Sequence, residues 1–382
     1  MDHNNDKKEL ILIGEKESEN LGDSLICAVA SHLFSEFHPK YDIRLYDISI
    51  ARRPDSKLGY LLNRVFTKII KQNKFFYYSY SYLYFFYRIP NKSHVCIVGG
   101  ALLQDFFSEA LVAILDVCRM KRAILHFSGI GIGNLFDGNK EKIRRALIRV
   151  KKVDLKFRDG LDVFSMEDKI KCSFVPDMGI CCCHLYGDRT TTELDRSKAE
   201  RSGGGLIGFG VIHPEHICDK NYQVSMEYYI QESCRCINSL IALGERIAIF
   251  TNGDSADFKV AEMIFEFFHH SDKVQLINRP TKVYELIESF KNFKYVISSR
   301  LHSLFISFSF QISTIAIAYD NKIKYFEQKC AGSSLVINVN RMHTIKWETE
   351  MSRLNDFNFN VVNLKELQAQ VTRNIKNITK LQ

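Results

Sequence analysis

The residues best equipped for chemistry sit at one step, Ser299-Arg300-Leu301-His302. It lies between the β-branched run YVISS and an apolar stretch in which Leu304, Phe305 and Phe308 share a helical face. A second apolar run, ISTIAIAY, follows, so residues 295–319 read as a β-α-β unit. In such a unit the strand ends at the rim where the helix begins. The first helical turn there offers free N–H groups and the positive end of a dipole. Arginine and histidine at that rim favour an anion, because a guanidinium grips two oxygens at once and an imidazole can pass a proton near neutrality. The plainer alternative is a surface cation beside a hydrogen-bonded core histidine.

Other strand ends carry residues of a related kind. After ELILIGE (residues 9–15) come Asn20, Gly22 and Asp23; a glycine at that turn lets backbone approach a ligand, and Asp23 either caps a helix or accepts a sugar hydroxyl. The strand at 94–98 runs into Gly99-Gly100, with Gln104 and Asp105 just beyond. Paired glycines permit a tight turn into a helix whose open N-terminus suits a phosphate or sugar. The strand inside RAILHFSGIGIGNL leads to Gly129, Gly131 and Gly133. That G-x-G-x-G lacks the full dinucleotide spacing, and no acidic residue stands at the expected offset, so a nicotinamide cofactor is not expected. DLKF ends in Arg158-Asp159, which taken alone is a surface ion pair worth under about 1 kcal/mol.

The elements that position these residues alternate strand and helix throughout. A polar passage, residues 186–205, contains three consecutive glycines and separates two such series. The expected class is α/β, with two Rossmann-like domains facing across a cleft that holds the site. Residues 1–185 form the first domain, interrupted by a basic and aromatic insertion at 52–90. Residues 206–345 form the second, and a helical tail occupies 346–382.

Composition narrows the class further. The chain has 382 residues, 46% hydrophobic and 25% charged, enough for two domains with their own cores. The apolar run near the start is too short for a signal peptide, so a cytoplasmic location is expected. Eleven scattered cysteines, with Cys181-Cys182-Cys183 adjacent, suit reduced thiols; Cys234 and Cys236 lack a matching pair, and no metal is expected. Much of the formal charge of +8 lies in Arg52, Arg53, Lys57, Arg64, Lys68, Lys71 and Lys74, just before FFYYSYSYLYFFY. That run is too short to span a bilayer, which takes roughly 20 residues. It suits either the headgroup layer of an anionic membrane or a buried aromatic helix. No nucleic-acid module accompanies it, and nucleic acid is not an expected partner. The oligomeric state is left open.

The segment around Arg300, Leu301, His302, Tyr319, Asp320 and Lys322 resembles the C-terminal signature of the polysaccharide pyruvyl transferase family. The N-x-G-D element at Asn20 to Asp23, the glycine pair followed by Gln104 and Asp105, the glycine loop at Gly131, the Arg158-Asp159 pair and Pro176-Asp177 resemble that family's motifs in the same order. Gln311 and Ser313 stand where members commonly carry Gly and Pro. The resemblance implies a glycosyltransferase-B-like architecture, with donor binding in the second domain and acceptor binding in the first. It implies phosphoenolpyruvate as donor, two hydroxyls of a surface-polysaccharide sugar or its precursor as acceptor, a pyruvate ketal as product and no cofactor. Arg300 and Arg158 are then expected to clamp the donor, His302 to act as acid or phosphate ligand, Lys322 to neutralise the leaving phosphate and Asp320 to take a proton. A basic and aromatic patch suits a lipid-linked acceptor at the inner face of the membrane. The alternatives are a nucleotide-sugar glycosyltransferase on the same frame and a non-catalytic member of a polysaccharide-assembly complex.

Overall fold

Runs such as LILIG and VCIV, apolar at nearly every position, mark strands covered on both faces, and both become inner strands of a parallel sheet. The computed structural model describes residues 8–49, 73–160, 172–189, 205–217, 222–319, 321–330, 334–356 and 359–381. The basic stretch through Lys71, most of the expected linker and Asp320 lie outside those ranges.

The chain divides into two compact units, residues 1–18, 23–178 and 369–382 forming the first and residues 19–22 and 179–368 the second. In the first, strands β1 (Lys8–Gly14), β2 (Tyr41–Asp47), β3 (His94–Val98), β4 (Ile124–Ile130), β5 (Val153–Phe157) and β6 (Cys172–Phe174) form a parallel sheet in the order β2-β1-β3-β4-β5-β6. Helices α1 (Leu21–Phe37), α2 (Lys74–Phe86), α3 (Ser108–Lys121) and α4 (Asp137–Ile148) alternate with the strands. The core gathers Ile11, Ile97, Phe127 and Phe157 from the sheet with Leu111, Ile114 and Leu115 of α3. Against this core α2 buries Tyr77, Ser81 and Phe85, so half of the aromatic run is structural.

In the second unit the strands are β7 (Leu206–Gly210), β8 (Ile247–Phe250), β9 (Val274–Leu276), β10 (Phe293–Ser298), β11 (Thr314–Ala318) and β12 (Ser334–Asn338), ordered β12-β11-β10-β7-β8-β9. Counted from β7, this is the doubly wound order 3-2-1-4-5-6. Its helices are α5 (Met226–Ala242), α6 (Ser255–Glu266), α7 (Val283–Phe290), α8 (Leu301–Ser309), α9 (Asn321–Lys329) and α10 (Trp347–Asn355), and α11 (Val361–Asn377) begins in this unit and ends in the first. Every residue of α8 is buried, His302 and three serines among them, so this helix is enclosed all round where a single apolar face was expected.

Three boundaries differ from the sequence reading. Residues 19–22 belong to the second unit, because the Leu21 amide donates to the Asn252 carbonyl at 2.8 Å. The tail is not one appendage. Trp347 and Met351 are buried in the second unit, whereas Asn374 accepts from Lys156 Nζ at 2.7 Å and donates to Ser128 Oγ in the first. A further strand, β12, follows the run ISTIAIAY and was not named from the sequence, and Lys322 lies on α9.

The turn after α8 keeps the geometry that a glycine would ordinarily supply. Gln311 adopts φ +55°, its amide donates to Phe308 O at 3.1 Å, and the Ile312 amide donates to Ser307 O at 2.8 Å. These are the two bonds of a Schellman motif, with Gln311 at the left-handed position. A side chain there costs about 1–2 kcal/mol. Replacing Gln311 with Gly is therefore expected to stabilise the protein by about 0.5–1 kcal/mol after allowing for glycine's looser unfolded state, read as a higher urea midpoint with unchanged slope.

Candidate functional site

In a doubly wound sheet, ligands gather where neighbouring connections leave the strand ends in opposite directions. In the second unit that point lies between β7 and β10, and the loops leaving those strands carry His213 and His216 on one side and Ser299 and Arg300 on the other. Arg300 is the N-cap residue of α8, and its amide donates to Ser298 Oγ at 3.1 Å. Its guanidinium is engaged by Asp257 of α6: Nε donates to Oδ2 and Nη2 to Oδ1, both at 2.6 Å. His216 Nδ1 lies 2.8 Å from Nη2 and 3.2 Å from the same carboxylate. These two roles exclude each other, since Nδ1 accepts from Arg300 when bare and donates to Asp257 when protonated.

The Asp257 carboxylate is wholly buried and also receives the His213 amide at 2.8 Å. Burial alone would raise its pKa. The Arg300 charge, the contacts with His216 and Arg300 and the His213 amide outweigh burial and hold it below the ordinary carboxylate value. Burial likewise opposes charge on Arg300, and Asp257 overrides it. Arg300 is thus a permanently protonated fork of fixed orientation, with much of its charge already matched. No partner for Nη1 is seen among the described residues.

His302 is the second residue of α8 and 8% exposed. The backbone at Gly22 lies so close that a methyl group there would overlap the imidazole. Glycine is needed at this position for close approach, as expected, but what it approaches is His302. The next residue, Ser303, donates from Oγ to Asn252 Oδ1 at 2.7 Å, while the Asn252 carbonyl receives the Leu21 amide. Asn252 therefore fixes both the helix start and the segment that abuts the imidazole. Asn20 accepts the Gly22 amide at 3.4 Å, a local turn contact. Leu301 is buried and offers only its backbone to the helix start.

The first unit has its own cluster at the corresponding place, between β1 and β3. Gly99 and Gly100 both adopt positive φ, and a Cβ on Gly100 would stand 2.9 Å from an Asp23 carboxylate oxygen. The Gly131 amide donates to Gly100 O at 2.8 Å, and its Cα faces the Arg158 guanidinium too closely for any side chain. Arg158 is neither a surface group nor an open anion clamp. It is 2% exposed, with Nη1 on the buried Asp177 and Nε 3.2 Å from Asp159. Burial opposes its charge, yet Asp177 and Asp159 hold it protonated. Asp159 in turn receives the Ile132 amide at 2.7 Å. This network locks the glycine loop, and two carboxylates already occupy the fork.

Asp105 serves a neighbouring loop, accepting from the Phe136 amide at 3.0 Å and Asn139 Nδ2 at 2.7 Å, while Gln104 packs on Gly133. Lys322 is half-buried on α9, and Asp320 lies outside the described residues. One grouping, His216, Asp254 and Asp257, has the donor types for a cation. Asp257 gives both oxygens to Arg300, and Asp254 caps α6 through the Ala256 and Asp257 amides. A metal there would sit beside a guanidinium, so the chemistry of this set fits an arginine anchor and not a metal centre.

Asp257, His216 and Asn252 were missed by the sequence reading. Asp257 stands three residues after the N-cap Asp254, where an acid reads as an ordinary first-turn residue; only the strand order brings it to Arg300, 43 positions away.

The sequence profile of the family described as "Polysaccharide pyruvyl transferase" matches residues 20–321. No curated protein matches the sequence. Among solved structures, the UDP-GlcNAc 2-epimerase from Neisseria meningitidis bound to UDP-GlcNAc is 10% identical, with a TM-score of 0.60 over 98% of this chain and 100% of its own. The Methanocaldococcus jannaschii UDP-GlcNAc 2-epimerase in complex with UDP-GlcNAc and UDP is 12% identical, with a TM-score of 0.56 over 97% of this chain and 99% of its own. At such identities the likeness speaks to fold alone, and that fold is glycosyltransferase-B-like.

The contact between Gly22 and His302 gives a stability prediction. Gly22→Ala is expected to cost about 1–3 kcal/mol through overpacking, and most of that cost should vanish in the His302→Ala background. Urea unfolding of the four proteins in this cycle measures the coupling; additive penalties would place the imidazole elsewhere.

Proposed function

Because the chain belongs to the polysaccharide pyruvyl transferase family, we propose that it transfers the pyruvyl group of phosphoenolpyruvate to two hydroxyls of a sugar, forming a ketal and releasing phosphate. The observation that carries this reading is the oriented Arg300 beside His302 at the start of α8, at the strand-order switch of the second unit. The donor bears about three negative charges near neutral pH. Arg300 is held in one orientation by Asp257, so a donor carboxylate or phosphate meets a preorganised cation next to the positive end of α8.

The reaction needs a proton delivered to the donor methylene and a first sugar hydroxyl added at the adjacent carbon, the proton lost by that hydroxyl restoring the acid. A second hydroxyl then displaces phosphate and closes the ring, and its proton leaves with the phosphate or a base. His302 supplies the first proton in this reading, and Lys322 pairs with the leaving phosphate. Asp320 is the proposed base. Asp23, beside Gly100, is assigned to an acceptor hydroxyl together with the glycine turn at Gly99. Arg158, already enclosed by Asp177 and Asp159, braces the Gly131 loop and does not grip the donor itself. The acceptor is read as a glycan precursor on a lipid carrier, presented at the inner face of a membrane to a cytoplasmic enzyme. Among the described residues no helix is long and apolar enough to cross a membrane.

Arg300→Lys, which keeps a charge beside Asp257, and His302→Ala are expected to stay folded and to lose phosphate release from phosphoenolpyruvate with extracted glycan precursors by at least about a hundredfold. Wild-type product should show a ketal methyl signal by NMR. Normal turnover in either variant, or thermal stabilisation by nucleotide sugars and not by phosphoenolpyruvate, would overturn the assignment.

A further inference from the structure

Helix α2 has two faces, and the core uses only one. Tyr77, Ser81 and Phe85 point inward, while Phe76, Tyr80, Leu83 and Tyr87, spaced by four, three and four residues, form an outward stripe. Their exposures are 55%, 40%, 54% and 81%, and Phe75 at the helix start is 72% exposed. Water is a poor neighbour for so many large apolar groups on one line.

Charge identifies what covers them. Residues 51–92 contain nine lysines and arginines and a single acid, Asp55, a net +8 that equals the formal charge of the whole chain. The rest of the sequence sums to zero, and α2 itself contains no acidic residue. The cations next to the helix lie against its rings: the Arg88 guanidinium is 3.7 Å from the Tyr84 centroid, and Lys121 Nζ is 4.0 Å from that of Phe86. The groove between α2, α3 and α4 contributes little to this field, because its Lys142, Arg145 and Arg149 are paired with Glu109, Glu141 and Asp116.

We propose that the outward stripe of α2 seats the first unit on an anionic bilayer surface, with the helix lying in the headgroup layer. Aromatic rings with wet hydroxyls suit that layer, and apolar area combined with basic charge gives the two attractions that peripheral binding requires. Thirteen residues cannot span a bilayer. A second copy of the chain is a worse fit, since it would bring the same +8 stretch against its own like charge. The inference extends the membrane-borne acceptor read above, by naming the surface that brings the enzyme to it.

The test is flotation with vesicles of equal parts phosphatidylglycerol and phosphatidylcholine, compared with phosphatidylcholine alone. The wild type should float with the anionic vesicles only, and binding should weaken as salt rises. The triple variant Phe76→Ser, Leu83→Ser, Tyr87→Ser alters exposed positions, so its melting should match wild type while vesicle binding falls by about tenfold or more. Binding to neither vesicle, equal binding to both, or undiminished binding by the variant overturns the proposal. So does a wild-type dimer in light scattering that the variant abolishes, because the stripe then belongs to a second copy. Turnover of phosphoenolpyruvate with a soluble glycan should be unchanged in the variant, so the two readings can fail separately.

Discussion

The second unit depends on one buried ion pair. Asp257 has no contact with water and Arg300 little. Such a pair adds little net stability, because desolvating both charges offsets their attraction. Losing one partner is different, since it would strand a charge in the interior at about 3–5 kcal/mol. What the pair supplies is orientation. Two parallel hydrogen bonds fix the plane of the guanidinium, and the His213 amide fixes the carboxylate in turn. A helix from one βα unit thereby aims a side chain from another, and α8 begins beside a cation that cannot swing away.

The first unit repeats the logic with different parts. Arg158 is surrounded by acids from its own strand end and from the Pro176-Asp177 turn, and the glycine loop closes over it. Glycines that look from sequence like openings for a ligand are first of all accommodations for the protein's own groups: Gly131 for Arg158, Gly100 for Asp23 and Gly22 for His302. Close packing of this kind leaves the polar groups few orientations, which is the condition for recognising a small, highly charged substrate.

Much of this architecture was legible in the sequence, because fully buried strands are apolar at nearly every position and their ends are marked by glycine or by polar residues. Arg300 and His302 were correctly read at the start of a helix. Their partners were not, for a physical reason. Asp257 and Arg300 meet because β8 and β10 flank β7, and strand order leaves no mark on the local sequence around either residue. Asp177 was read as part of a turn, while its role as a counter-charge depends on the placement of β5 beside β6. Gln311 was noted as a departure from glycine, and the backbone takes the left-handed conformation all the same. Helix termination there follows from the buried apolar residues on either side more than from the residue at the turn.

Neither unit is an unbroken length of chain. The first needs residues 369–382, and the second needs residues 19–22. As synthesis proceeds from the amino end, the polar anchor that Asn374 provides to Ser128 and Lys156 emerges 218 residues after Lys156, so the opening sheet must wait on the ribosome in an incomplete state. A gene cut between the two units would encode two fragments that each lack a part carried by the other. Recovery of the native assembly would then require mixing both pieces, because neither fragment encodes the whole of its own fold.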